Sequence, residues 1–460
     1  MVAVKDSPAG KSAFDRDWTS GSIVRNLLSL SWPMVLNESL WVIGMTVDLI
    51  WVGQLGPASI AGVGVAGMVV WMLMVARWGL STGTRAMVAR FVGAGDAAGA
   101  NHVAGQAFAI SAVYAVVVTS VGIFLTEPIL MLFNLEAAVV SEGAAYMRIQ
   151  LIGSLAMSLW MMGEAIMQAS GDALRPMKIT MAARGLHLIL DPFLILGWWI
   201  FPRMGVSGAA TANLIAYVLG MVLTLWILFS GRSRLRLTLR GFRFEAGIIW
   251  RIVKIGVPAS IMGMARTFGR MMLLRLVTPF GTLAVAAHIL AERIEMFLYL
   301  PGWGLGMAGG VLVGQNLGAG QPERAEKSGW LAAGLMEGFI IFLALAVMLR
   351  AESIISIFNT DPDFVAMASS FIRIEALGYL VLGFVAVLQM TISGSGDTLP
   401  PMLISLLMIW VVQVPLSVLL PRVDELGVYG IRWAIVAGNL AGAVAYTAYF
   451  RLGRWKRKKV

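Results

Sequence analysis

The chain has 460 residues, 58% of them hydrophobic and only 13% charged. A soluble domain carries roughly a quarter charged residues, so a fully wetted surface is excluded and the chain is read as a membrane protein. There is no cysteine, which excludes disulfides, thiolate metal sites and cysteine nucleophiles, and the scattered His102, His187 and His288 argue against a histidine-based metal centre.

The first 24 residues are polar, with Lys5, Asp6, Lys11, Asp15, Arg16 and Asp17, and lack the apolar core of a signal peptide, so this end is expected in the cytoplasm. Twelve hydrophobic segments follow, near 27–53, 58–80, 102–126, 143–169, 174–199, 206–230, 247–276, 282–312, 327–349, 367–394, 398–420 and 427–450. At about 20 residues per crossing they leave little room for an extramembranous catalytic domain, and the longer ones imply tilt or kinks. Between the sixth and seventh segments lie Arg232, Arg234, Arg236, Arg240, Arg243, Arg251 and Lys254, and the tail holds Arg454, Lys456, Arg457, Lys458 and Lys459. The positive-inside rule places both in the cytoplasm, on one side as an even number of spans requires. The opposite loops carry mainly Arg203, Arg275, Arg350 and Arg422. The net charge of +10 is therefore mostly a record of topology, and no nucleic-acid partner is expected.

An internal repeat relates the halves. Ser170-Gly171-Asp172-Ala173-Leu174-Arg175-Pro176-Met177 recurs 225 residues later as Ser395-Gly396-Asp397-Thr398-Leu399-Pro400-Pro401-Met402. The same shift sets Pro33 on Pro258 and Val92-Gly93-Ala94-Gly95 on Leu317-Gly318-Ala319-Gly320, and a shift of 222 sets Gly205-Val206-Ser207-Gly208 on Gly427-Val428-Tyr429-Gly430. With six spans each, the halves insert in the same orientation. The expected fold is an all-α polytopic membrane protein of twelve transmembrane helices in two six-helix lobes, related by a pseudo-twofold axis along the membrane normal. Its divisions are a cytoplasmic segment 1–24, an N-terminal lobe 25–230, a basic linker 231–246, a C-terminal lobe 247–450 and a basic tail 451–460.

On these residues the chain resembles the multidrug and toxic compound extrusion (MATE) transporters. The resemblance runs from about residue 25 to 450 and is most specific in Val313-Gly314-Gln315-Asn316-Leu317-Gly318-Ala319-Gly320-Gln321-Pro322-Glu323-Arg324-Ala325, in the two Ser-Gly-Asp turns and in Val47-Asp48-Leu49-Ile50-Trp51-Val52-Gly53-Gln54-Leu55-Gly56. It implies a V-shaped bundle in the plasma (inner) membrane that exports small organic, often cationic or amphipathic compounds against inward protons or sodium ions. The turn motifs themselves mainly let a cytoplasmic loop re-enter a helix.

Ionisable groups within the spans are costly to bury and so mark function. Asp48 lies late in the first span, 15 residues after Pro33, and Asp191 lies in Leu190-Asp191-Pro192 of the fifth; Leu273 and Val414 stand at the matching places in the second half. The resemblance assigns both acids to a cation-coupling cluster that usually includes an Asn one turn before the second Asp and often a Thr in the sixth span. Here those places hold His187 and, judged from Gly208-Ala209-Ala210, Asn213. Imidazole is a poor ligand for a hard alkali cation but a good proton carrier, which favours protons while leaving Na⁺ at Asp48 and Asp191 open. Alternatively His187 only holds Asp191 by a hydrogen bond. Pro33, lacking an amide hydrogen, makes the first helix bendable.

A second set is His288, Glu292 and Glu295 at i, i+4 and i+7, with Arg266 and Arg270 one turn apart on the preceding helix. Pairing of Arg270 with Glu292 inside the lobe is the expectation, with an acidic cavity lining or a proton relay as the alternative. Members of the family with an acid in this lobe tend to carry it in the seventh or tenth span, and the seventh-span stretch Ser260-Ile261-Met262-Gly263-Met264 has none. Asn37, Glu38 and Glu164 are further polar candidates for a cavity or relay, and Trp160, Met161 and Met162 for an apolar one.

No nucleotide-binding Gly-x-x-x-x-Gly-Lys-Ser/Thr motif, nucleophile and base pair, or repeated filter is found, which speaks against an ATP-driven pump, an enzyme and a channel. The expectation is a secondary exporter working by alternating access, with no cofactor and no resident metal, surrounded by lipid and acting as a monomer. A flippase or dedicated metabolite exporter on the same plan is the alternative.

Overall fold

The computed structural model describes residues 17–133, 136–238, 242–423 and 426–460. Lys5, Asp6, Lys11, Asp15, Arg16 and Arg240 lie outside the described residues. The N-terminal half comprises α1 (Ile23–Gly53), α2 (Pro57–Gly93), α3 (Ala97–Phe124), the short α4 (Thr126–Met131), α5 (Ala137–Ile152), α6 (Ser154–Ala169), α7 (Leu174–Leu196) and α8 (Val206–Phe229). The C-terminal half comprises α9 (Ala246–Val277), α10 (Thr282–Gly318), α11 (Pro322–Ser356), α12 (Pro362–Tyr379), α13 (Leu382–Gly394), α14 (Leu399–Leu406), α15 (Val414–Leu419) and α16 (Tyr429–Leu452). A π-helical stretch, Leu407–Gln413, joins α14 to α15 within one span.

Among the described residues ten segments are individually long and apolar enough to cross a membrane, and two bent pairs complete twelve spans. The pairs, α5 with α6 and α12 with α13, turn by 50° and 51°. They are the fourth and tenth spans, so the kink expected of an overlong segment recurs at equivalent places in both halves. The second, eighth and ninth spans run further than hydropathy alone suggests, because α2, α10 and α11 continue through polar turns such as Gln315-Asn316.

The repeat is structural as well as textual. Gly171 and Gly396 both adopt φ +91°, a left-handed conformation open to glycine at little cost, and so reverse the chain identically in the two Ser-Gly-Asp turns. Each turn is then clasped by the basic segment at the end of its half. Ser233 donates to Asp172 and Arg234 to the Ser170 carbonyl, while Lys458 pairs with Asp397 at 3.2 Å. Trp455 stacks on Phe450 at 4.7 Å and fixes the tail.

The lobes meet through α1 against α10 and α2 against both α9 and α10. Glycines permit the contact. A Cβ on Gly79 would fall 2.0 Å from Ser260 Oγ, and one on Gly304 would fall 2.3 Å from Val35; both glycines and both partners are related by the 225-residue shift. Nearer the linker and tail, the same shift relates Gly93, whose Cβ would lie 1.9 Å from the Gln315 carbonyl, to Gly318, whose Cβ would lie 2.1 Å from that of Arg90. Hydrogen bonds from Ser260 to the Ala76 carbonyl, Gln315 to Ala169 and Arg90 to Ser395 cross the same joint. The halves therefore meet closely on the side of the linker and tail. A cavity lies between the lobes, lined from α2, α9, α10 and α13.

Candidate coupling site

Arg184, His187 and Asp191 follow at i, i+3 and i+7 on α7, one face of a helix that packs on α1 and α8. Asp48 of α1 and Asn213 of α8 complete the group, and all five side chains are buried. Gly44, one turn before Asp48, brings α1 close: a Cβ there would lie 3.2 Å from Arg184 Cδ and 3.6 Å from His187 Nδ1. The His187 ring nitrogen Nε2 stands 2.9 Å from Asp48 Oδ1 and 3.4 Å from Asp191 Oδ1. Neither approach has hydrogen-bond direction, so both Asp191 oxygens, Asp48 Oδ1 and both imidazole nitrogens remain without a hydrogen-bond partner. Asn213 donates to Asp48 Oδ2 at 2.8 Å and accepts from Arg184 at 3.0 Å. The Arg184 guanidinium lies 3.9 Å from the Trp41 ring centroid, with Tyr217 and Trp160 further out.

One imidazole thus sits between two carboxylates, beside a fixed guanidinium. Donor atoms of Asp48, His187 and Asp191 all lie within 4.8 Å of one another, close enough to share a single small cation or proton. Unpaired buried carboxylates are expensive, so such a group has reason to persist where its charge must change.

Asn37 and Glu164 also meet, but in a separate network: Asn37 donates to Glu164, Gln168 donates to the same oxygen at 3.1 Å, and Arg85 donates to Gln168 at 3.2 Å. Glu38 is half-buried and lies within electrostatic reach of Arg85. Trp160 is fully buried, 5.0 Å from Trp41, which makes it packing behind the Arg184 cage; Met162 is buried too, and Met161 touches Arg77 through its sulfur. Pro33 lies inside an uninterrupted α1, two residues from the Val35 contact with Gly304.

The MatE family model matches residues 33–193 and again 258–419, two stretches whose starts are 225 residues apart. The chain belongs to the MatE family. It is 25% identical over 449 residues to a probable multidrug resistance protein NorM of Thermotoga maritima, covering 95% of this chain and 94% of that one. A protein of Shewanella oneidensis named as an FAD transporter is 26% identical, covering 93% and 94%. A crystal structure of MATE in the bent conformation matches with a TM-score of 0.89 at 25% identity, covering 95% of this chain and 96% of that one. This MatE protein is accordingly a multi-pass membrane transporter of small organic compounds and not an enzyme.

In the second lobe of the MatE fold the expected pairing of Arg270 with Glu292 is not formed. Arg270 is exposed, and among the described residues neither Arg266 nor Arg270 lies within 4 Å of a carboxylate. Arg432 of α16 takes that place instead. Fully buried, it binds Glu375 of α12 and His288 of α10, and lies 4.3 Å from the Phe371 ring. Tyr379 donates to the other Glu375 oxygen at 3.2 Å. Glu292 reaches only to 3.8 Å from His288, and Glu295, half-buried, forms no ion pair among the described residues. His288 is therefore a network member, whereas its helical stripe is not. The tenth span does carry the acid that the seventh lacks, Glu375, so buried acids occur in both lobes, at places the repeat does not equate. Arg184, Glu375 and Arg432 carry no motif, and their one signal in the sequence is a lone charge inside an apolar run.

Proposed function

We propose that this protein is a proton-coupled exporter of small organic compounds working by alternating access, with Asp48, Asp191 and His187 as its coupling groups. The observation that carries the reading is the imidazole held between two buried carboxylates in one lobe. The carboxylate oxygens of the cluster come from Asp48 and Asp191, and the Asn213 carbonyl oxygen is turned to Arg184. A sodium ion would have few oxygen ligands, an imidazole nitrogen and an arginine nearby, a poor set for a hard cation. Protons need only the carboxylates and the ring.

Uptake of a proton removes a negative charge from Asp48 or Asp191 and weakens its hold on His187 and, through Asn213, on Arg184. The attraction between α1 and α7 then falls. Because α1 also carries Pro33 and the Val35 contact, a change at Asp48 reaches the joint between the lobes along one helix. With the linker and tail in the cytoplasm, the cleft of this state opens outwards, ready for proton uptake and substrate release.

Proteoliposomes loaded with a fluorescent dye test this, with pH and sodium gradients imposed separately. Efflux driven by the pH gradient and lost in Asp48→Asn is expected; efflux driven by sodium alone overturns the proton assignment. A second reading, export of one particular metabolite, is favoured by the Shewanella relative named as an FAD transporter.

A further inference from the structure

The cavity between the lobes is built by α2, α9, α10 and α13, and its lining holds two charged side chains, Arg85 and Arg266, and no carboxylate. Around them are Trp78, Met262, Met307 and Gln389. Arg266 comes from one lobe and Arg85 from the other, so the cationic pair exists only where the lobes face each other. Neither guanidinium is neutralised at close range. Among the described residues neither has a carboxylate within 4 Å, and each donates to a neutral amide: Arg266 to Gln389 at 2.7 Å, Arg85 to Gln168 at 3.2 Å. Arg85 Nε is buried with no hydrogen-bond partner among the described residues. Two acids act on Arg85 from outside the lining, beyond ion-pair distance: Glu38, and Glu164, whose carboxylate is occupied by Asn37 and Gln168. Trp78 packs at 5.4 Å on Trp303, which gives the cavity a broad aromatic wall beside the cations.

We infer that this cavity binds the anionic group of an amphipathic aromatic substrate, with Arg85 and Arg266 as the anion clamp and Trp78 with the methionines as the seat for the ring body. The inference rests on the transporter reading and deepens it by naming the substrate class; it departs from the cationic compounds that the family resemblance implies. A cation entering the cavity would meet two guanidinium groups with no acid in the lining. A carboxylate or phosphate meets charge-assisted donors from both lobes, and flexible methionine side chains adapt to the ring system.

The test uses two xanthene dyes of similar body and opposite charge, fluorescein and rhodamine 6G, titrated into the purified full-length protein in a nonionic detergent. Binding is read by fluorescence anisotropy against protein-free micelles. Fluorescein is expected to bind at least about tenfold more tightly than rhodamine 6G, and Arg85→Gln with Arg266→Gln is expected to remove about tenfold or more of that affinity, with Lys at both places retaining part of it. Rhodamine 6G binding as tightly as fluorescein to the wild-type protein overturns the inference without reference to any variant. So does unchanged fluorescein binding in a double Gln variant whose thermal unfolding matches the wild type. No ion gradient is involved, so a failure of proton coupling leaves this result standing, and the reverse.

Discussion

Asp191 is the residue whose neighbours say most about its task. Both of its oxygens are buried without a hydrogen bond among the described residues, while one turn away stands an imidazole that it shares with Asp48. Replacing Asp191 by Asn keeps the shape and removes the titrating group, so proton-driven efflux is expected to fall by more than about tenfold while equilibrium dye binding in detergent stays near the wild-type value, two quantities measurable on one preparation. Arg432 poses the opposite case, a charge satisfied by Glu375 and His288 in a dry site. Arg432→Met strands the Glu375 carboxylate and is expected to cost about 3–5 kcal/mol, whereas adding Glu375→Leu should recover much of it; thermal unfolding of the single and double variants distinguishes a structural pair from a coupling one. Asp48 and Asp191 were legible in the sequence because each is an acid interrupting an apolar run, and His187 because it lies one helical turn before Asp191, whereas Asn213 was reached only through the family resemblance. Arg184 and Arg432 were not, since an arginine in a span looks the same whether it snorkels to a headgroup or, as here, reaches a side chain on another helix.

At the scale of elements, the joint depends on helices whose backbones nearly touch. Gly93→Val places a branched side chain where even a Cβ would lie 1.9 Å from a carbonyl on α10, so the joint is expected to open or the protein to lose thermal stability, by a shift of several degrees in a melting assay. Ser260 and Ala76 are hydrogen-bonded across the same joint, in a chain without native cysteines. Ala76→Cys with Ser260→Cys should therefore cross-link in good yield, and transport should stop on oxidation and return on reduction; continued efflux by the cross-linked form would show that these helices need not separate. The twelve spans were legible from hydropathy because each must satisfy its backbone internally in lipid. The 50° and 51° bends and the π-helical stretch were not, because they follow from packing between helices and leave the hydropathy of a span unchanged.

For the molecule as a whole, the repeat fixed the plan and its imperfections fixed the chemistry. Glycines that set turns and contacts coincide in the two halves, whereas Asp48, His187 and Asp191 in one lobe and His288, Glu375 and Arg432 in the other do not, so an architecture shared by duplication carries unlike buried networks. The shared joint also has a consequence for how the protein is made. On α2, Gly79 and Gly83 leave the ribosome more than 160 residues ahead of Ile252, Gly256 and Ser260, against which they close. During that interval a completed first half displays a strip of bare backbone to lipid, a surface that attracts any small-residue helix within reach. Residues 1–230 expressed alone should accordingly be short-lived or self-associated, and co-expression with residues 231–460 should rescue them, as judged by co-purification of the two pieces. Recovery of a stable monomeric first half would show that the strip is covered by its own lobe until its partner arrives.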